Sequence, residues 1–81
     1  MNGDSVYTTT DIALCTALIC QGYVIVDITK QISGKATFSF NKDDQLNDIL
    51  KLYFDHQLNV DALTYFNYLK EVKTRIYNIR Q

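Results

Sequence analysis

The sequence predicts a small α+β domain, and three features support that class. Two segments, residues 23–30 and 35–41, are rich in β-branched and aromatic residues and flank a turn that contains Gly34. Other segments repeat apolar residues every three or four positions, as amphipathic helices do. The length of 81 residues fits one domain, residues 1–81, in which we expect residues 1–8 to be flexible.

The first predicted helix spans residues 11–21. Thr9 or Thr10 is expected to cap it by accepting from its free backbone N–H groups, and Asp11 adds negative charge near the positive end of the helix dipole. Gly22 is expected to end the helix, because glycine tolerates the left-handed conformation that follows many helices.

The later elements follow from the same reasoning. The two strand segments form an antiparallel hairpin packed on the helices. Asp43 is predicted to cap a second helix over residues 44–57, and Asp61 a third helix that runs to residue 79. The second helix has an apolar stripe at helical spacing, made of Leu46, Ile49, Leu50, Tyr53 and Phe54. The predicted order is therefore α-β-β-α-α.

Composition and charge exclude several classes of protein. The chain is 47% hydrophobic and 21% charged, which is typical of a globular protein. No apolar stretch reaches the roughly 18 residues of a membrane span, so no membrane partner is expected. Two cysteines in so short a chain favour the cytoplasm. The net charge of −1 divides into −4 over residues 1–61 and +3 over residues 62–81, so any nucleic-acid contact is confined to the last helix.

The first helix suggests self-association. Apolar residues surround it almost completely, and such a helix needs cover on two sides. A chain of this length supplies the second side with difficulty, and a lone hairpin leaves two open edges. We therefore expect a homodimer whose interface includes Leu14, Ala17, Leu18 and Cys20. The alternative is that the helix is wedged between the hairpin and the last helix.

Few residues in this sequence are suited to catalysis. His56 is the only histidine, so it lacks the partner that a nucleophilic dyad requires, and we expect it to lie against the last carbonyls of the second helix. Cys15 and Cys20 stand about 140° apart around one helix, which prevents metal chelation and a disulfide. The glycines are isolated, which excludes a phosphate-binding loop. No catalytic residue, metal or cofactor is predicted, and we do not expect an enzyme.

Asp27 lies within the first strand segment. Simple alternation directs Val24, Val26 and Ile28 to one face of the sheet, and Ile25 and Asp27 to the other. If solvent covers the second face, Asp27 has no special role; if a partner covers it, Asp27 would help to determine specificity.

Two charged surfaces are candidate binding sites. The acidic surface contains Asp43, Asp44, Asp48 and Asp55. The basic and aromatic shoulder of the last helix contains Lys70, Lys73, Tyr77 and Arg80 within about 80° of arc, with Phe66 between them. This shoulder could bind nucleic acid or an acidic protein surface. A purely structural role also stays open, because long basic side chains beside a core stripe commonly lay their methylenes on apolar surface.

Four segments of the chain are TTDIALCTALICQGY, FSFN, DQLNDILKLYF and LKEVKTRIYN. In these segments the chain resembles a family of short uncharacterised proteins of bacterial and phage genomes, and the match covers most of residues 7–78. The matching positions are Thr9, Thr10, Asp11, Leu14, Gly22, Phe38, Phe40, Tyr53, Phe54, Leu69, Ile76, Tyr77 and Asn78. The resemblance implies origin and fold, and it implies no activity.

The leading hypothesis is a non-enzymatic binding protein of a phage or mobile element that acts by protein contact in the cytoplasm of a bacterial host. By analogy with small acidic inhibitors, its carboxylates could imitate nucleic-acid phosphates and block a defence nuclease, as anti-CRISPR proteins do. The alternative is an accessory protein that binds nucleic acid through the last helix.

Overall fold

Six elements follow one another in a computed structural model of the chain, which describes residues 5–79. They are β1 (Val6–Thr9), α1 (Ile12–Cys20), β2 (Ile25–Lys30), β3 (Ala36–Asn41), α2 (Leu46–Phe54) and α3 (Ala62–Asn78). The predicted α+β class and the antiparallel hairpin are confirmed. The observed order adds one strand before the first helix.

That additional strand completes a three-stranded antiparallel sheet in the order β1-β3-β2. Tyr7 of β1 pairs with Phe40 of β3, and Thr9 pairs with Phe38. Residues 1–8 were expected to be flexible, but residues 6–8 belong to a paired strand, while residues 1–4 lie outside the described part of the chain. The local sequence of β1 predicts a strand only weakly, because this strand is stabilised by pairing with β3, about thirty residues further along the chain.

β2 departs from simple alternation. Its pairing with β3 shifts between Ile25 and Asp27, which marks a β-bulge at Val26. The extra residue lets Ile25 and Ile28 both face the core, opposite Phe40 and Phe38. The prediction that Val24, Val26 and Ile28 share one face is therefore wrong, and Val24 and Val26 are exposed.

The core lies between the sheet and the helices. Phe38 and Phe40 of β3 are fully buried, whereas Thr37 and Ser39 alternate with them and are only half-buried. Each helix contributes a buried side chain to the cluster around these rings: Leu14 and Leu18 from α1, Leu46 from α2 and Val72 from α3. The polar side of β3 faces away from the helices, so the helices pack on one face of the sheet.

The start of α1 corrects the predicted cap. The cap is Asp11, whose Oδ1 accepts from the backbone N–H groups of Ala13 (2.9 Å) and Leu14 (3.3 Å). Thr9 acts one step earlier, because its hydroxyl accepts from the N–H of Asp11. Gly22 follows the helix with φ of 99°, as predicted.

The other two helices start differently from each other. Asp61 caps α3 as predicted, accepting from the N–H of Thr64 at 2.9 Å. Asp43 does not cap α2, because the helix begins three residues later, at Leu46. The Asp43 carboxylate instead accepts from the N–H of Gln45 in the preceding turn.

Candidate interaction surface

One face of α3 is rich in exposed apolar and aromatic side chains. Leu63 is 68% exposed, Phe66 54% and Tyr77 87%. At about 100° per residue these three and Lys70 fall within about 60° of arc, and Lys73 lies at the edge of the same arc. We call these five residues the α3 outer face. It lies opposite Val72, which anchors the helix in the core.

The α3 outer face is positively charged. The ammonium group of Lys70 lies 4.9 Å from the centroid of the Phe66 ring, a cation–π contact. Lys73 adds a second exposed charge, whereas Glu71, the acid within α3, projects about 120° away. Of the predicted shoulder, Lys70, Lys73 and Tyr77 therefore share this face, and Arg80 lies outside the described residues.

The four predicted acidic residues are all exposed, but they do not form one uniform patch. Asp48 and Asp55 lie on the solvent side of α2, with Lys51 between them, and Asp44 lies in the turn before the helix. Lys51 Nζ is 3.9 Å from the Asp55 carboxylate, so a positive charge interrupts the acidic surface.

Asp43 has a structural role that the sequence did not predict. The Tyr23 hydroxyl donates to its Oδ1 at 2.6 Å and so ties the start of β2 to the turn before α2. Burial and this hydrogen bond raise the pKa of Tyr23 to about 12. Asp43 is therefore less available to a partner than Asp44 or Asp48.

Three of the four residues predicted for the dimer interface are not available to a second copy. Leu14, Ala17 and Leu18 are buried within their own chain, because α1 packs between β1, the rings of β3 and α3. Cys20 is half-buried. Contacts within the chain therefore account for the apolar residues of α1, which do not require a second copy.

The histidine is exposed, whereas one cysteine is buried and the other is half-buried. His56 follows α2 in the left-handed region, with φ of 61°. Burial raises the pKa of the Cys15 thiol to about 12, and burial together with Asp61 raises the pKa of Cys20. Both cysteines therefore stay protonated thiols at neutral pH, a form that is a poor nucleophile.

Three tyrosines surround Asp11, a cluster that sequence reasoning missed. The Tyr53 hydroxyl donates to Asp11 Oδ2 at 3.1 Å, and the Tyr65 hydroxyl donates to the carbonyl of Ala13 at 3.5 Å. Burial and the Asp11 charge raise the pKa values of Tyr7 and Tyr65, and burial with the Asp11 hydrogen bond raises that of Tyr53 to about 12. These neutral phenols connect α1, α2 and α3.

The described part of the chain lacks two kinds of functional feature. Within residues 5–79, no three or more histidine, cysteine, aspartate or glutamate side chains are grouped so that they could hold a metal ion. None of the helices in this part of the chain has the length and apolar character needed to cross a membrane.

The fold and its surfaces define a small α+β domain in which α3 exposes an aromatic face. The model of one protein family, described as "Domain of unknown function (DUF5659)", matches residues 4–78. The chain therefore belongs to this family, in agreement with the resemblance to an uncharacterised family. Comparison with curated proteins and with solved structures gave no match.

Proposed function

We propose that this protein is a non-enzymatic binding domain that contacts an acidic protein partner through the α3 outer face. The observation that carries this proposal is the exposure of Leu63, Phe66 and Tyr77 on one side of a helix that is anchored elsewhere in the core. Three large side chains in water have a favourable free energy of burial, at about 25 cal/mol per Å² of apolar area. Aromatic residues are also enriched at the centres of protein interfaces.

Charge selects the kind of partner. Lys70 and Lys73 lie on the outer face, and Glu71 projects to another side of the helix. An acidic surface would neutralise both ammonium groups, whereas a basic surface would be repelled. We further propose that the interaction takes place in the cytoplasm of a bacterial cell, which the two cysteines support, and that the protein comes from a phage or mobile element, which the family resemblance supports.

Site-specific photocrosslinking in the native host tests this proposal. A photoreactive phenylalanine analogue at position 66 or 77 should capture one partner, and the same analogue at position 48 on the acidic surface should not. The variant Phe66→Ser/Tyr77→Ser should lose the partner, while Asp44→Asn/Asp48→Asn should retain it. Capture from position 48 alone would contradict the outer face as the binding site.

A narrower form of protein binding uses the acidic surface. Asp44, Asp48 and Asp55 could imitate the phosphates of a nucleic acid and inhibit a defence nuclease. The ion pair of Lys51 with Asp55 makes this surface less negative than the sequence suggested. The test is to titrate the domain against a CRISPR effector. Inhibition that Asp44→Asn/Asp48→Asn abolishes would favour the acidic surface over the outer face.

Nucleic-acid binding is the second candidate, favoured by the contact of Lys70 with the Phe66 ring. Cations beside aromatic rings bind single strands through phosphate attraction and base stacking. Affinity for a single-stranded oligonucleotide should then fall with salt, with a slope of roughly −0.7 per neutralised phosphate. Lys70→Gln/Lys73→Gln should weaken binding and reduce that slope. An undetectable or salt-independent shift in a gel assay would contradict this function.

A further inference from the structure

A second surface lies at the edge of the sheet, away from the α3 outer face. β2 is an edge strand, because β3 pairs with it on one side only. Alternate backbone N–H and C=O groups of an edge strand point outward and can accept another strand. A groove of about 470 Å³ runs along this edge, lined by Val26, Asp27 and Ile28 of β2 and by Arg75, Asn78 and Ile79 of α3.

The two walls of the groove lie on opposite sides of the sheet edge. Ile28 pairs with Phe38 and faces the helices, whereas Asp27 pairs with Ser39 and faces away from them. Arg75 belongs to α3, on the helix side. The Lys30 ammonium group donates to the carbonyl of Ile76 at 3.5 Å, which fixes the last turn of α3 beside β2.

The groove has separated charges. Within residues 5–79, neither Asp27 nor Arg75 has an ion pair or a side-chain hydrogen bond, and both are exposed. The groove therefore has a positive charge on its helix side and a negative charge on its outer side. Successive side chains of an extended strand also alternate between these two sides.

We infer that this groove binds an extended segment of another protein, which adds to the sheet as a strand beside β2. Backbone hydrogen bonds to the β2 edge would supply much of the affinity, and the charges would select the sequence. An acidic residue of the segment would pair with Arg75 on the helix side of the groove, and a neighbouring basic residue would pair with Asp27 on the outer side. The expected ligand is thus an extended peptide with an adjacent acid–base pair between apolar or hydroxyl residues.

A second copy of this chain fits the groove less well. When two β2 edges pair antiparallel about a two-fold axis normal to the sheet, the helix-covered faces of both sheets lie on the same side. If the pairing is centred on the strand, the two Asp27 carboxylates lie within one or two positions of each other, and the two Arg75 side chains share the other face. Like charges at such positions are destabilising. The bulge at Val26 also disfavours edge-to-edge pairing of two identical strands.

NMR titration of the full chain tests this inference with a defined probe, the capped peptide Thr-Ile-Lys-Glu-Thr-Ile. In this peptide, Glu and both Ile residues face one side, and Lys and both Thr residues the other. The largest shifts of backbone resonances are expected at residues 26–29, 75, 78 and 79. Arg75→Gln should weaken binding two- to fivefold, as expected for an exposed ion pair. Lys73→Gln, on the α3 outer face, is the matched control and should leave the affinity unchanged.

Backbone methylation of the peptide separates strand addition from charge attraction. Methylating every second amide removes the donors that face β2 in one peptide and the donors that face solvent in the other. One of the two should lose binding and the other retain it. Equal binding of both peptides would overturn the inference, and so would shifts confined to the α3 outer face or no shifts at millimolar peptide. None of these results bears on the proposal that the α3 outer face binds an acidic partner, because the peptide tests only the groove beside β2.

Discussion

Two residues in the left-handed conformation end the first two helices in the same way. After α1, the N–H of Gly22 donates to the carbonyl of Ile19 and the N–H of Tyr23 to that of Leu18. After α2, the N–H of His56 donates to Tyr53 and the N–H of Gln57 to Leu52. Both ends are Schellman motifs, but only the first has the glycine that the motif favours. His56 therefore has a backbone conformation that is costly for a side chain.

Substitution of these two residues should change stability in opposite directions. His56→Gly removes the conflict between Cβ and backbone at φ of 61° and should raise the free energy of unfolding by about 1 kcal/mol. Gly22→Ala introduces the same conflict at φ of 99° and should lower it by about 1–2 kcal/mol. Apart from the two neighbouring residues in the chain, no atom lies within 4 Å of a Cβ at Gly22, so contacts with the rest of the protein add nothing. Urea unfolding measures both, and a loss of stability in His56→Gly would contradict this explanation.

At the scale of elements, tyrosine hydroxyls attach α2 to the rest of the fold at both ends. Tyr23 donates to Asp43 before the helix, and Tyr53 donates from its last turn to Asp11, the cap of α1. Between them, Leu46 is buried while Phe54 is 60% exposed, so the predicted apolar stripe overestimates the packing of this helix. These hydrogen bonds therefore contribute a larger share of the stabilisation of α2 than of α1.

These attachments predict a loss of stability at alkaline pH. The pKa values of Tyr23 and Tyr53 are raised from the ordinary 10 to about 12 in the folded protein. Their contribution is therefore complete below pH 10 and is lost as the pH rises through about 12, because the unfolded chain releases these protons first. Tyr23→Phe/Tyr53→Phe should lower stability at pH 7, by about 1 kcal/mol per hydrogen bond, and flatten the decline above pH 10.

Urea unfolding at pH 7, 10 and 11 measures this dependence. The control is Tyr77→Phe, because this side chain is 87% exposed on the α3 outer face. It should leave the stability at pH 7 unchanged. If the double phenylalanine variant declined as steeply above pH 10 as the natural protein, the two hydroxyls would not account for the alkaline loss.

The elements that could be predicted are those whose own residues carry the pattern of a helix or strand. Asp61 is followed by a long periodic segment, so the start of α3 could be predicted. Gly22 follows an apolar run, so the end of α1 could be predicted as well. β1 and the bulge at Val26 depend on partners in β3, which local pattern does not contain. The shoulder of α3 was predicted from periodicity alone, whereas the groove beside β2 combines residues about fifty positions apart and needs the tertiary fold.

At the scale of the whole molecule, a small core limits the tolerance of the fold to substitution. The buried cluster is built around Phe38 and Phe40, which pair with β1 and β2 and face the helices. A domain of this length has a free energy of unfolding of roughly 4–12 kcal/mol. The loss of one central ring is therefore comparable with the total stability at the lower end of that range.

The same substitution at three phenylalanines should separate core from surface. Phe40→Ala removes a fully buried ring and should lower the free energy of unfolding by about 3–5 kcal/mol. Phe54→Ala and Phe66→Ala remove rings that are 60% and 54% exposed, and each should change it by less than about 1 kcal/mol. Thermal unfolding followed by circular dichroism measures all three. A large loss in Phe66→Ala would mean that the α3 outer face is already covered in the isolated protein, because an uncovered ring has little packing to lose.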